Sequence, residues 1–338
     1  GLVGYLNQYY SSRIATIRNS YASGKVNDGA GGGLVGSNNG GRIYNSYYRA
    51  ANAGNTVGFP ASTANLRKQE TFYFWDFDHI WTIPSRGYPV IDLRGSESEI
   101  SFEGDGVADD PYLIKTEQQL YALSVDLTPN RTATVYQLAN DITITTNYWT
   151  PIGEYITFAG TFDGNGHTIS GVKLSGTHYD YVGLFGNNSG TIKDLNVTGT
   201  VSGSSIVGLL AAHSTGKVEN CSVNNGSVTG AGYTGGLVGY NEGGTVISCV
   251  TSGTVKNTGS GNTGGLVGYN DSGTIKYSGS TATVAGGSGN TGGLVGESRY
   301  TSTIQNCYAQ GDVTGTSTTG GLVGYLNQYY SSRIATIR

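Results

Sequence analysis

Four carboxylates lie within eight residues beside a glycine turn: Glu103, Asp105, Asp109 and Asp110. Calcium favours oxygen-rich loops of this kind, although the spacing differs from that of an EF-hand. A calcium ion at this place would stiffen a junction between two modules. The alternative is a solvated acidic turn that holds no ion. Calcium is the one cofactor that the sequence suggests, and both alternatives stay open here.

Other polar residues point less clearly to chemistry. Asp76, Asp78 and His79 could present alternate side chains of a strand to a metal ion, or they could cap turns. The zinc-peptidase signature H-E-x-x-H is absent. An acid–base pair for polysaccharide cleavage needs two carboxylates at a fixed separation in one groove. The carboxylates of the repeated region lie at different repeat positions: Asp194, Glu219, Glu242, Asp271, Glu297 and Asp312. We therefore expect no enzymatic activity.

Tyrosines form the most suggestive surface feature. The insert 5–13 (YLNQYYSSR) recurs as 325–333, and three further tyrosines would lie near it along the predicted stack of coils. Tyrosine offers a large contact area with a polar tip, which suits protein interfaces and sugars. The alternative is ordinary exposed tyrosine in a chain that has 25 of them. The predicted interaction residues are Tyr5, Tyr9, Tyr10, Tyr44, Tyr47 and Tyr48.

The cysteines do not suggest redox chemistry. Their count of 3 excludes a complete set of disulfides within the chain. Cys221 and Cys249 occupy the same position of neighbouring repeats, and parallel strands in register give poor disulfide geometry. We expect buried free thiols. Serine takes this position in other repeats, at Ser20, Ser46 and Ser278.

Composition narrows the classes of partner. The net charge is −4 and the sequence has no basic stripe, which argues against nucleic acid or an anionic membrane surface. No apolar run is long enough to span a bilayer, so we expect no membrane insertion in this piece. Met is 0 and a signal peptide is not evident. We expect an internal piece of a longer, processed protein.

A fixed period organises the chain. GLVG occurs at 1–4, 33–36, 236–239, 265–268, 293–296 and 321–324, and from 208 to 321 the spacing of the motif is 28, 29, 28 and 28. Aligned repeats place an apolar residue in each of three short strands that are separated by Gly, Ser and Asn turns. Stacked positions stay fixed while loops vary, as in a solenoid. The predicted fold is all-β, a parallel β-helix with three short strands per coil of about 28 residues.

A longer repeat encloses the short one. Residues 1–18 and 321–338 both read GLVGYLNQYYSSRIATIR. The simplest explanation is a parent protein built from tandem copies with a period of 320 residues. We expect residues 1–58 to be the last coils of one module, 59–95 its aromatic C-terminal cap and 96–104 a junction. Residues 105–158, with a capping box at Thr116 and Gln119 and a helix at about 117–126, would be the N-terminal cap of the next module. Residues 159–338 would be its coils.

The motifs resemble a known family. Residues 234–239 (TGGLVG) and 304–309 (IQNCYA) are similar to the GLUG-motif repeats of bacterial surface proteins. That family includes the non-catalytic β-helical region of IgA-specific metallopeptidases. Segments 109–114, 149–153 and 162–169 resemble the start of such modules, and 74–77 resembles their end. The resemblance covers nearly the whole chain and implies a right-handed parallel β-helix on a secreted or wall-attached bacterial protein. It does not imply peptidase activity.

Three functions follow as expectations. The first is a structural, non-catalytic module of a long extracellular fibre or filament, whose partners are other copies head-to-tail. These copies would be covalent tandem repeats or separate subunits. The second is an adhesin that binds a glycan or a host protein through the tyrosine-rich flank. The third is a polysaccharide-degrading β-helix enzyme.

Overall fold

The computed structural model describes most of the chain. The described residues are 2–7, 15–23, 33–50, 58–72, 75, 81–82, 88–91, 101–124, 132–145, 149–154, 156–176, 180–327 and 336–337. They divide into two compact units, Gly1–Ile100 and Ser101–Arg338. The boundary falls inside the segment 96–104 that the sequence predicts as a junction.

The second unit starts with the strand Tyr112–Ile114 and the helix Glu117–Ser124. The predicted capping box is confirmed. Thr116 Oγ1 accepts a hydrogen bond from the N–H of Gln119 at 3.1 Å, and Gln119 Oε1 accepts one from the N–H of Thr116 at 3.2 Å. These bonds satisfy backbone donors that the first helical turn leaves without partners. The helix therefore begins where the sequence predicts.

The coils of the second unit stack as parallel ladders, and the longest of them is sheet A, with nine strands. Its buried centre is a predicted apolar column, in which Ile192, Val218, Val246, Ile275 and Ile304 lie opposite one another in turn. The strands of sheet A are Tyr112–Ile114, Val135–Leu138, Thr161–Asp163, Thr191–Lys193, Lys217–Glu219, Thr245–Ile247, Thr274–Lys276, Thr303–Gln305 and Thr336–Ile337.

Sheet B follows sheet A around each coil. It holds a second predicted column, in which Val201, Val228, Val255, Val284 and Val313 are opposite one another. A bulge interrupts several of its strand pairs, so two late coils contribute two short strands each. The strands of sheet B are Ile142–Thr143, Thr168–Gly176, Asn196–Gly203, Ser222–Gly230, Val250–Asn257, Gly279–Ser280, Thr283–Ala285, Tyr308–Ala309 and Val313–Thr314.

Sheets C and D, of six strands each, lie on either side of the Gly-Leu pair of the repeated motif. The chain bends at this pair, so each full coil passes through four sheets, and the expectation of three strands per coil is corrected. The strands of sheet C are Tyr181–Val182, Ile206–Gly208, Thr234–Gly235, Thr263–Gly264, Thr291–Gly292 and Thr319–Gly320. The strands of sheet D are Phe185–Asn188, Ala211–Ser214, Val238–Glu242, Val267–Asp271, Val295–Arg299 and Val323–Asn327.

One sharp corner recurs between sheets A and B. Its central residue has a positive φ of 50 to 55°, the left-handed region in which Asn is favoured among residues other than Gly. The next residue is Cys or Ser in several coils, and its side chain donates back across the corner: Cys249 Sγ to Ile247 O at 3.2 Å, and Ser278 Oγ to Lys276 O at 2.7 Å. The central residues are Asn165, Asp194, Asn220, Ser248, Tyr277 and Asn306.

The first unit repeats this plan in two coils. Strands Val3–Asn7 and Thr16–Arg18 pair with Val35–Asn39 and Arg42–Tyr44. Tyr21–Ala22 pairs with Tyr47–Arg49, which pairs with Phe59–Ala61. An antiparallel pair joins Trp81–Thr82 to Val90–Ile91. Two 3₁₀ turns follow Phe59–Ala61 in the chain, Asn65–Arg67 and Gln69–Thr71.

Aromatic rings cover the last coil of the first unit. Trp75 lies 4.5 Å from Phe72 and 4.3 Å from Trp81, measured between ring centroids. The indole N–H of Trp75 donates to Asn45 O at 2.9 Å, and Tyr47 packs edge-on against Phe72 at 5.1 Å. These rings shield apolar surface that an open coil would expose.

Candidate functional site

The candidate site is the outer column of sheet D, formed by the residues that align with Tyr240, the residue after the GLVG motif at 236–239. In a strand the side chains alternate between two faces, so these residues lie on the outer face of sheet D, where the ring of Tyr269 is covered by its neighbours and only 2% exposed. Successive coils place these side chains directly opposite one another. The outer column consists of Asn187, His213, Tyr240, Tyr269, Glu297 and Tyr325.

Aromatic rings run along the outer column in mutual contact. The centroids of His213 and Tyr240 are 5.0 Å apart, and those of Tyr240 and Tyr269 are 5.1 Å apart. Tyr233 stacks on Tyr269 at 4.6 Å with an interplanar angle of 18°, and the Arg299 guanidinium lies 4.7 Å from the Tyr269 centroid. Offset ring contacts and cation–π contacts both favour a defined arrangement of the rings. The rings of His213, Tyr233, Tyr240 and Tyr269 therefore form one aromatic cluster across neighbouring coils, in which Tyr269 is buried.

Charged groups on this surface are matched to neighbours. The ring nitrogens of His213 lie 3.1 Å from Asn187 Oδ1 and 3.0 Å from Glu242 Oε2. Arg299 pairs with Asp271 at 3.1 Å. Burial, with smaller contributions from nearby carboxylates, raises the pKa of the Tyr240 hydroxyl well above its ordinary value, so this hydroxyl stays protonated. His213, Tyr233 and Tyr240 are half-buried, so each presents only part of its ring to solvent.

A polar groove of about 420 Å³ lies at the corner between sheets A and B. Lys193 Nζ is 2.6 Å from Asp163 Oδ2 and 3.3 Å from Asp194 Oδ2, and Asn220 Nδ2 donates to Asp194 Oδ1 at 2.6 Å. The bond from Asn220, helped by Lys193, lowers the pKa of Asp194. These donors and acceptors satisfy one another. We therefore attribute the groove to the hydrogen bonds that hold the corner between sheets A and B.

The predicted calcium ligands do not converge. Glu103 pairs with Lys115, and the Asp110 carboxylate accepts the N–H of Asp105 at 3.2 Å. All four carboxylates, that of Asp109 included, are exposed. Within the described ranges, no three His, Cys, Asp or Glu side chains are grouped to hold a metal ion. In this arrangement the side chains serve the turn separately, and calcium binding by the four carboxylates stays a prediction. Asp76, Asp78 and His79 lie outside the described residues.

The tyrosines predicted to form an interaction surface differ in burial. Tyr44, Tyr47 and Tyr48 are buried in the first unit, so they are corrected to core residues. Tyr5 is exposed and stands opposite Ser37, at the position that Tyr325 holds in the outer column of sheet D. Tyr9 and Tyr10 lie outside the described residues. Sequence reasoning missed Tyr240 and Tyr269, although the recurring string GLVGY marks both.

The cysteines behave as predicted. All three are free; Cys221 and Cys249 are buried, and Cys307 is half-buried. Burial raises the pKa of the Cys221 thiol well above its ordinary value, and it raises that of Cys307 too. A protonated thiol is a poor nucleophile. The side chains of Cys221, Cys249 and Cys307 each donate to a carbonyl oxygen of their own corner. Their role is structural.

Comparison with known sequences finds the motif itself. The family described as "The GLUG motif" matches residues 230–256 and 287–314, which confirms the predicted resemblance. Halomucin of Haloquadratum walsbyi is 36% identical over 161 residues, which are 44% of this chain and 2% of that protein. A protein named as a Gly-rich membrane protein of Evansella cellulosilytica is 35% identical over 146 residues, covering 39% of this chain and 16% of its own length. The chain thus spans a small part of these relatives.

Comparison with solved structures supports the fold. A crystal structure described as a candidate immunoglobulin A1 protease from Bacteroides ovatus has a TM-score of 0.52 at 23% sequence identity. The match covers 69% of this chain and 79% of that one. The chain is a parallel β-solenoid that carries GLUG motifs. In the described part of the chain, no helix has the length and apolar character needed to cross a membrane.

Proposed function

We propose that this chain is a structural, non-catalytic module of a long extracellular fibre, displayed on or secreted from a bacterial cell and joined head-to-tail to other copies. The observation that carries the proposal is the identity of residues 1–18 with 321–338, each folded as part of a GLUG coil. Near-perfect tandem copies suit a protein whose task is length. The names of its relatives, a mucin-like protein and a membrane protein, are consistent with a surface location.

The charges on the solenoid support a role without catalysis. The carboxylate of Glu297 accepts hydrogen bonds from the amides of Asn262 at 2.8 Å and Asn290 at 3.0 Å. Asp271 is paired with Arg299, and Asp163 with Lys193. A general acid and base would need carboxylates aimed at a common substrate. These carboxylates are instead engaged with neighbouring protein groups.

Electron microscopy of the native material tests the fibre directly. We expect filaments with an axial rise of about 4.8 Å per coil and a longer period that corresponds to one module. Discrete particles with no axial repeat would overturn the proposal. Incubation with polysaccharides should release no new reducing ends, and a substrate-dependent release would favour the enzyme instead.

A second candidate is adhesion through the outer column of sheet D. Tyr5 and Tyr325 are exposed, and Tyr325 lies in the outer column opposite Glu297. A glycan array and a host-protein binding assay would compare the wild-type chain with Tyr325→Ala and a Tyr9→Ala/Tyr10→Ala double variant. Tyr277→Ala is the matched control, because Tyr277 is exposed at the corner between sheets A and B. Binding that all three variants retain would remove the assignment to this flank.

A further inference from the structure

In the second unit, a few backbone hydrogen bonds join the end of the predicted N-terminal cap to the coil that follows it. The N–H of Ile152 donates to Leu184 O at 2.9 Å, and the N–H of Gly186 donates back to Ile152 O at 2.7 Å. The N–H of Phe158 donates to Asn187 O at 2.9 Å. Ile152 and Phe158 are buried, so this end of the cap covers the apolar edge of the coil. These three bonds are called the cap joint below.

The carboxyl group of Glu154 fills a space at the cap joint that a strand fills in later coils. A β-carbon built on Gly186 would lie 3.0 Å from Glu154 Oε2. Gly239 holds the matching position two coils later, where a β-carbon would lie 2.8 Å from Ile206 Cγ2, in sheet C of the preceding coil. Among the described residues Tyr181–Val182 is the first strand of sheet C. At Gly186 a carboxyl group therefore stands where later coils have sheet C.

This position disfavours a charged carboxylate. Glu154 Oε2 is buried, and no donor from the described part of the chain reaches it. An ionised carboxylate that is buried without a partner destabilises the conformation that buries it. Burial, and after it repulsion from the exposed carboxylate of Asp180, raises the pKa of Glu154 to about 7. The closed joint thus favours the neutral form of Glu154.

His213 connects the cap joint to the next coils. The Asn187 side chain donates from Nδ2 to Gly153 O at 3.4 Å and so presents Oδ1 to His213 Nδ1, 3.1 Å away. The other ring nitrogen, Nε2, faces Glu242 Oε2 at 3.0 Å. An amide oxygen and an ionised carboxylate only accept hydrogen bonds. Both bonds therefore need a hydrogen on each ring nitrogen, which only the protonated imidazole carries.

The other titratable side chains that face His213 are two tyrosines. The rings of Tyr181 and Tyr240 lie 5.8 Å and 5.0 Å from that of His213, measured between centroids. Both are phenols, which carry no charge near neutral pH. Loss of a proton from Glu154 and loss of a proton from His213 therefore act in the same direction, and each weakens the contacts of the cap joint.

We propose that the cap joint is a pH-sensitive latch, which is closed while Glu154 and His213 carry their protons and loosens when they lose them. For Glu154, the stability of the closed joint falls as pH rises from the ordinary 4.5 to about 7. For His213, the protonated ring makes both bonds, so stability again falls as pH rises. Coils of a solenoid contact only their neighbours, so opening leaves the later coils stacked. The latch lies within one module and acts whether or not modules join into a fibre.

Hydrogen–deuterium exchange resolved to single amides tests the latch. The protection factors of the Ile152, Gly186 and Phe158 N–H groups should fall about tenfold or more between pH 5 and pH 8. Each protection factor is taken relative to an unstructured peptide at the same pH, which removes the intrinsic pH dependence of exchange. The N–H of Leu237 donates to Leu266 O within the stack and is the reference. Its protection should stay unchanged.

Variants separate the groups that form the latch. Glu154→Gln is neutral at every pH, so it should keep most of the protection at pH 8. Asp180→Asn removes the repelling charge and should make the loss of protection smaller. His213→Gln should lower the protection at pH 5, because the bonds of the protonated ring are absent. His167→Gln is the matched control, because the ring of His167 lies 3.2 Å from Asp141 Oδ1, outside the cap joint. It should leave the three amides unchanged.

A variant with both Glu154→Gln and His213→Gln decides the assignment. Its three amides should have equal protection at pH 5 and pH 8. A fall as large as in the wild type would overturn the latch, because other groups would then control the joint. In the wild-type chain, constant protection at Ile152, or a fall at Leu237 equal to that at Ile152, would also overturn it. This wild-type comparison needs no substitution, so it decides the proposal even where circular dichroism shows that a variant is unfolded.

Discussion

Replacing Tyr277 with Asn should stabilise the second unit. Tyr277 has a φ of 51° at the corner between sheets A and B. In this region the β-carbon of an L-residue crowds the following carbonyl oxygen, and bulky residues avoid it while Asn tolerates it. Asn220 and Asn306 hold the same corner in other coils, with φ of 50° and 55°. Tyr277 is 57% exposed, so its ring contributes little buried apolar contact.

The expected gain follows from the cost of the left-handed conformation, which is about 1–2 kcal/mol for an ordinary L-residue. Asn removes part of this cost, so we expect about 0.5–1 kcal/mol. For a urea dependence of about 3 kcal/mol per M, the unfolding midpoint would rise by about 0.2–0.3 M. The shift is small but measurable in paired titrations.

Urea unfolding followed by far-ultraviolet circular dichroism measures this shift. Asn306→Tyr is the reciprocal control, because Asn306 is exposed at the same corner. This substitution should lower the urea midpoint by a similar amount. The slope of each transition must match that of the wild type, since coils of a solenoid can unfold separately. An unchanged midpoint in both variants would show that corner strain does not limit stability, and the reasoning would fail.

Three further predictions use the same assay or a thiol titration. Burial raises the pKa of Glu154 to about 7, above its ordinary 4.5, so ionisation of this group destabilises the fold as pH rises through that interval. Glu154→Gln should therefore raise the urea midpoint at pH 8 and leave it nearly unchanged at pH 4; equal effects at both would contradict this. With a thiol reagent, Cys307 should react before unfolding and Cys249 only after it; simultaneous reaction would contradict the described burial. Gly264→Ala places a β-carbon 2.0 Å from a carbonyl oxygen and should lower the free energy of unfolding by about 1–3 kcal/mol. Gly321→Ala, whose β-carbon has nothing within 4 Å, should leave the free energy of unfolding unchanged. Equal effects of the two substitutions would contradict the packing argument.

The stacked columns were predictable because each one recurs at a fixed period. Ile192 and Val218 could be aligned by counting residues, and they lie opposite each other in sheet A. The bend at the Gly-Leu pair was missed because it lies within an apolar stretch that carries no polar turn signal. Periodicity shows which positions stack, but it does not show where the chain turns within a coil.

The candidate site was harder to predict because it depends on contacts between distant residues. Tyr47 is buried because Phe59, Phe72 and Trp75 close over it, and nothing near Tyr47 in sequence indicates this. Glu103 pairs with Lys115 and so turns away from the other acidic residues. Nearness in sequence did not determine which way either side chain points.

Leu6 and Leu326 show how this fold separates length from surface chemistry. Their sequences are identical, yet one is buried and the other is exposed, so burial is decided by the neighbouring coil. Stability in such a stack is a sum of nearest-neighbour terms, and coils can be added without altering those already present. The inward columns carry these terms and stay nearly constant, while the outer column changes from His213 to Tyr240 to Glu297 within a few coils. The residues that stack the coils and the residues of the outer column are therefore separate sets, and a change in one need not disturb the other.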